Sequence, residues 1–85
     1  MSYQREIRFA AGSVLLAMDI KNGIIQSCKI YGDFFEVKPV EELERLLEGM
    51  RYDKKELITL LKKVNIAEYI HLLSNMEFQK LLISN

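Results

Sequence analysis

Cys28 and His71 are the only cysteine and the only histidine in the 85-residue chain, so reactive side chains are scarce from the outset. One exposed thiolate of low pKa suffices for redox or sulfur-carrying chemistry, which puts Cys28 first for consideration. Its strand phase with Ile24 and Ile30 places it among apolar side chains, where a thiol pKa rises and cysteine packs as a small hydrophobe. An internal disulfide is excluded, and one cysteine with one histidine cannot supply the ligands of a structural zinc site. His71 has no second histidine or cysteine to act with and reads as a surface residue near the end of a short helix. Neither G-x-G-x-x-G nor G-x-x-x-x-G-K-[ST] occurs, so the usual phosphate cradles are missing. Gly12, Gly23, Gly32 and Gly49 stand singly, where turns call for conformational freedom.

Charge is balanced, with 12 Lys plus Arg against 12 Asp plus Glu. The net field therefore offers no general attraction to nucleic acid or to an anionic membrane. Its distribution is less even: Glu41, Glu42, Glu44 and Glu48 make one predicted helix acidic, and Lys54, Lys55, Lys62 and Lys63 make the next basic. Such runs read as solvated faces, with docking onto a complementary surface as the alternative. No apolar run approaches the length that spans a bilayer and the first residues hold no apolar signal core, which predicts a cytoplasmic protein.

The elements that must position these residues follow from periodicity. Val14, Leu16, Met18 and Ile20 alternate along a half-buried strand, and Asn22-Gly23 supplies the turn into a second, with Ile24, Cys28 and Ile30 in phase. Residues 3–9, with Ile7 and Phe9 in phase, give a third strand. Past residue 35 the period becomes helical. Pro39 suits a first turn, Leu43, Leu46, Leu47 and Met50 form a stripe, and Gly49 fits the end. Asp53 with Glu56, and Ser74 with Glu77, read as capping boxes for two further helices. The expected fold is α+β: an antiparallel sheet of strands near 3–9, 13–20 and 24–31, then helices near 39–48, 54–64 and 75–83 packed on one face as a two-layer sandwich. Residues 66–71 read as a short irregular or single-turn helix, and residues 1–85 as one domain without linker or repeat.

One segment is more specific. In Ile30-Tyr31-Gly32-Asp33-Phe34-Phe35 two successive phenylalanines cannot both point inward from a regular strand. A turn, a bulge or a partner surface must take one of them. Together with Phe9-Ala10-Ala11-Gly12, Asn22-Gly23-Ile24-Ile25, the Glu- and Leu-rich stretch 40–48 and Gly49-Met50-Arg51-Tyr52-Asp53, it resembles the C-terminal accessory domain of bacterial lipoate-protein ligases. The likeness covers nearly the whole chain and departs at His71-Leu72-Leu73, where that pattern has a glycine-containing step.

The resemblance implies an adjunct to a two-step reaction. A larger catalytic domain, on the same or a separate chain, makes lipoyl-adenylate from lipoate and ATP and then lipoylates an acceptor-domain lysine. ATP, magnesium and lipoate would be ligands of that catalytic partner, with no catalytic, cofactor or metal residue in this chain. The family fold is also similar to small iron-sulfur scaffold and sulfur-acceptor domains. Candidate inter-domain contact or hinge residues are Asp33, Phe34 and Phe35 at the corner and Arg51 and Tyr52 at the helix joint. The competing reading gives the same residues to turns, local backbone bonds and core. Two other functions stay open: sulfur transfer or cluster assembly, which needs Cys28 exposed, and a module that binds lipoyl-acceptor domains without catalysis.

Overall fold

The alternating segments form a three-stranded antiparallel sheet in the order β1-β2-β3, with β1 at Ser2–Phe9, β2 at Gly12–Lys21 and β3 at Ile24–Gly32. The structure is a computed structural model that describes residues 1–83; residues 84 and 85, the end of the expected domain, lie outside the described residues. Asn22 and Gly23 both take positive φ, 54° and 76°, as the tight hairpin between β2 and β3 requires. Val14, Leu16, Met18 and Ile20 are buried on one face, as their alternation predicts. The phase of β3 differs from expectation at its start. Ile25 is fully buried and Ile24 only half-buried, because the register shifts beside Asp19 and Ile20 and leaves Gln26 without a partner. That bulge swaps which isoleucine faces the core, and Cys28 and Ile30 then resume the inward face.

Three helices follow: α1 at Val40–Leu47, α2 at Lys54–Leu61 and α3 at Asn75–Leu82, with a 3₁₀ turn at Ile66–Glu68. Their apolar faces, including Leu43, Leu47, Leu57, Leu61, Phe78, Leu81 and Leu82, close one core with the inner face of the sheet. Pro39 sits at the N-cap of α1 rather than inside its first turn, and the Glu36 carboxylate accepts the Val40 N–H at 3.1 Å. Asp53 caps α2 through the Glu56 N–H at 3.1 Å, but the reciprocal half of the box is absent because the Glu56 carboxylate leans toward Arg51. At Ser74 the full box with Glu77 forms.

The helix α2 stops at Leu61, before the expected 64, and Asn75 is the reason. Its amide donates to the carbonyls of Leu61 at 2.7 Å and Val64 at 2.8 Å, while its oxygen accepts the Ile66 N–H at 2.8 Å. Carbonyls that a longer helix would have used internally are thus satisfied from α3. At the far end of α3, the Tyr3 and Tyr52 hydroxyls donate to the carbonyls of Leu81 and Leu82. Two strand- and loop-borne phenols therefore cap the last turn.

The outer edge of β3 carries the main departure from the charge reading. Glu41 and Glu42 are exposed, but Glu44 is only 3% exposed and Glu48 half-buried. Glu48 accepts the Cys28 N–H at 3.0 Å and Glu44 the Ile30 N–H at 2.8 Å. The spacings match: four helical residues rise about 6.0 Å, and two strand residues advance about 6.6 Å. Carboxylates on successive helical turns thus meet alternate amides of an edge strand. Arg45 holds their outward oxygens, at 2.8 Å from Glu48 and 3.9 Å from Glu44.

Glu44→Ala leaves the Ile30 amide without its acceptor and is expected to lower unfolding free energy by about 2 kcal/mol. Glu44→Gln, which keeps an acceptor, costs less than half of that, and Glu41→Ala stays within about 0.5 kcal/mol. Urea unfolding of the three variants measures this order; equal stabilities of Glu44→Ala and Glu41→Ala would refute the assignment.

Candidate docking surface

The corner after β3 splits the two phenylalanines. Asp33 donates its own N–H to the Ser13 carbonyl at 3.2 Å and accepts the Ser13 N–H on Oδ1 at 2.6 Å. Its side chain supplies the return bond of a ladder pair where β3 has already ended. A Cβ at Gly12 would meet that oxygen at 2.7 Å, so the approach needs glycine there. Phe34 turns in and packs against the core, while Phe35 is 71% exposed.

Beyond Phe35 residues 35–38 lie along residues 68–71 as a short ribbon built on one antiparallel bridge, Glu36 with Ile70, at the exit of the 3₁₀ turn. Val37 and Lys38 donate to the carbonyls of Tyr69 and Glu68 at 2.8 and 3.1 Å, and His71 donates to the Phe35 carbonyl at 2.9 Å. Ile70, the bridge partner of Glu36, points into the core. Around that bridge Phe35, Val37 and His71 are exposed and Tyr69 is half-buried. Phe35 meets His71 edge-on at 6.0 Å, and the Lys38 ammonium lies 5.7 Å from the Tyr69 ring centre. Leu72 follows, 64% exposed, with φ of 68°. Leucine pays about 1–2 kcal/mol in that left-handed conformation, which glycine adopts freely. This residue falls within the step where a glycine was expected, and the positive φ gives that expectation its physical content. Sequence reasoning missed the ribbon because its pairing joins two stretches too short to show a period.

The helix joint lies elsewhere. Arg51 bridges Ile24 through its backbone, and its guanidinium is exposed, with Nε 3.9 Å from a Glu56 oxygen. Tyr52 is half-buried, its ring 5.8 Å from that of Tyr3 and its hydroxyl 2.9 Å from the Leu82 carbonyl. Burial pushes the Tyr52 phenol above its ordinary pKa, with Tyr3 adding to the rise and Arg5 opposing it. Asp33 follows one end of β3, and Arg51 pairs with the other. Eight strand steps separate them, roughly 26 Å. The corner and the joint therefore do not form one patch.

The side chains with reactive potential stay apart. The Cys28 thiol is buried, and desolvation, followed by the Glu44 and Glu48 carboxylates, pushes its pKa up to about 12. Among the described residues no three His, Cys, Asp or Glu side chains gather as a metal-ligand set. Likewise, none of their helices is long and apolar enough to cross a membrane. Along α2 runs an open groove of about 430 Å³, floored by Met50 and Leu60 and flanked by Lys55, Glu56, Thr59 and Lys63. Its one hydroxyl, that of Thr59, donates to the Lys55 carbonyl of its own helix.

Comparison with known proteins places this arrangement. The chain is 38% identical over 82 residues to a lipoate-protein ligase of Streptococcus pyogenes, an overlap of 96% of this chain and 24% of that protein. It is 37% identical over 75 residues to a lipoate-protein ligase of Bacillus subtilis, covering 88% of this chain and 23% of that one. Lipoate-protein ligase 1 of Staphylococcus aureus is 35% identical over 68 residues, 80% of this chain and 21% of that ligase. The chain thus spans about a quarter of the length of these relatives. Residues 1–82 match the family model described as the bacterial lipoate protein ligase C-terminus. A continuous match through sheet, corner, joint and last helix means that the chain belongs to that family of ligase C-terminal domains.

Proposed function

We propose that the chain is the accessory domain of a lipoate-protein ligase and supports ATP-dependent activation of lipoate to lipoyl-AMP by a separate, larger catalytic domain. The activated acyl group then goes to a lysine of an acceptor domain. The observation that carries this reading is the family match over residues 1–82. Support comes from the separation of the reactive side chains among the described residues. ATP, magnesium and lipoate are accordingly assigned to the catalytic partner.

The contribution of the domain is that of a lid. A preformed body seated over an adenylation site excludes water from a hydrolysable acyl-adenylate and orders the loops around it. A stiff core is what such a part needs, and here Glu44, Glu48 and Tyr3 tie helices to the sheet while Asn75 and Tyr52 tie α3 to the end of α2 and to the loop before it. Of the candidate contact residues, Phe35 and Arg51 keep their side chains available to a partner, whereas Asp33, Phe34 and Tyr52 are engaged within the chain. Sulfur transfer and cluster assembly would need an accessible thiolate, and Cys28 offers neither access nor ionisation.

Mixing the chain with the catalytic domain of its ligase, lipoate and magnesium-ATP is expected to raise pyrophosphate release several-fold over the catalytic domain alone. The chain by itself releases none. Equal rates with and without the chain would remove the proposal. In a separate measurement, iodoacetamide at pH 7.5 leaves Cys28 unmodified in the folded chain and labels it promptly in urea. A shift from 9.0 to about 12, caused chiefly by burial, cuts the thiolate fraction roughly a thousandfold. Labelling of the folded chain at the rate of a free thiol would reinstate the sulfur-transfer alternative.

A further inference from the structure

The geometry points to the outer face of the 35–38/68–71 ribbon, extended by Leu72, as the surface that the larger ligase domain covers. This inference rests on the accessory-domain reading and specifies the docking face.

Three observations converge on it. Phe35, Val37 and Leu72 are 71%, 54% and 64% exposed, and Tyr69 and His71 complete the same stretch. Single exposed hydrophobes need no explanation, but several gathered about one backbone bridge mark a binding surface. The composition fits as well. Two aromatic rings and two aliphatic side chains lie beside a neutralised pair, Lys38 with Glu68 at 3.2 Å, which leaves no surplus charge to recruit a polyanion. The occupant is therefore an apolar protein surface.

Leu72 supplies the second observation. Its neighbours Ile70 and Leu73 are fully buried, so the turn must carry residue 72 outward, and it does so at positive φ. Glycine would make this turn without strain. A leucine that is both strained and exposed gains nothing from its own domain, so the side chain finds its contacts outside it.

The third observation names the partner. The chain covers 24% and 23% of the ligases it matches, so about three quarters of such a ligase lies outside the matched region. That remainder is the protein surface the accessory reading requires nearby. A second copy of the chain and a lipoyl-acceptor domain are the other possible occupants.

The test titrates the chain into the immobilised catalytic domain, in parallel with pyrophosphate release. Phe35→Asp and Leu72→Asp change exposed side chains, keep two-state urea unfolding, and are expected to weaken binding at least tenfold each. Tyr31→Asp, on the open face of the sheet, changes it less than twofold. Leu72→Gly raises Tm by about 4 °C through relief of strain, yet weakens binding. A purely structural role for Leu72 would give the first effect without the second. If wild-type chain stimulates pyrophosphate release and Phe35→Asp and Leu72→Asp bind and stimulate equally well, the accessory reading stands and this face is wrong. If wild-type chain neither binds nor stimulates, the accessory reading falls and takes this inference with it. Sedimentation that shows self-association abolished by Phe35→Asp, or acceptor-domain binding abolished by it with the catalytic domain unaffected, would also overturn the assignment.

Discussion

Two carboxylates on one helix perform the work of a missing fourth strand. A three-stranded sheet ends in rows of main-chain donors, and the row along β3 lies against the helix layer, where water cannot reach all of it. Glu48 and Glu44 take the amides of Cys28 and Ile30, and the pairing continues without interruption into backbone bonds. Gly49 donates to the Ile25 carbonyl, Ile25 to Met50, and Tyr52 to the Gly23 carbonyl. From Ile30 back to Gly23 the edge is covered, first by side chains and then by main chain. Because those contacts are antiparallel and in step, the position of α1 sets the position of residues 49–52. That segment in turn delivers Asp53 to cap α2 and Tyr52 to cap the end of α3. An unmade bond at the start of this series would loosen everything that follows.

The two edges of the sheet are handled by different means. On β1, Met1 and Ile20 exchange both main-chain bonds, so by alternation the groups of Ser2, Gln4, Glu6 and Arg8 face away from β2. These residues are exposed, and the charges of Glu6 and Arg8 oppose indiscriminate pairing with other chains. β3 could not be protected in that way, since its edge supports the first helix. The solution also sets the chemistry of Cys28. Its amide is bonded to Glu48, and burial of its thiol suppresses ionisation of the only cysteine, with the same two carboxylates that secure the sheet adding to the effect.

Features governed by local periodicity were legible in the sequence. The three strands, the Asn22-Gly23 turn and the Ser74–Glu77 box depend on neighbours a few residues away, and each forms where its pattern predicts, with the inward phase of β3 altered only at its start. What the pattern did not show depends on distant partners. Helical phase puts Glu44 beside the Val40, Leu43 and Leu47 stripe and Glu41 away from it, but only the strand fourteen residues earlier gives that carboxylate its partner. Likewise Ile24 and Ile25 are equivalent until the bulge decides between them, and α2 ends where Asn75, eleven residues beyond Val64, takes its carbonyls. The corner was conspicuous because Phe34-Phe35 breaks strand alternation, but the ribbon that turns Phe35 into part of a surface joins stretches with no pattern of their own.

Conspicuous residues and available residues are therefore different sets in this domain. Asp33 and Tyr52 stand out in the sequence, and each closes an internal joint: a ladder pair for the first, a helix terminus for the second. A side chain committed to a joint is well placed to transmit rigidity and poorly placed to meet a partner. Phe35 and Val37, with Leu72 just beyond, are exposed on a ribbon whose inner residue, Ile70, is anchored in the core. Such a division suits the lid role proposed above, because contacts made at the surface act on the core through the anchored residue rather than bending a loose loop.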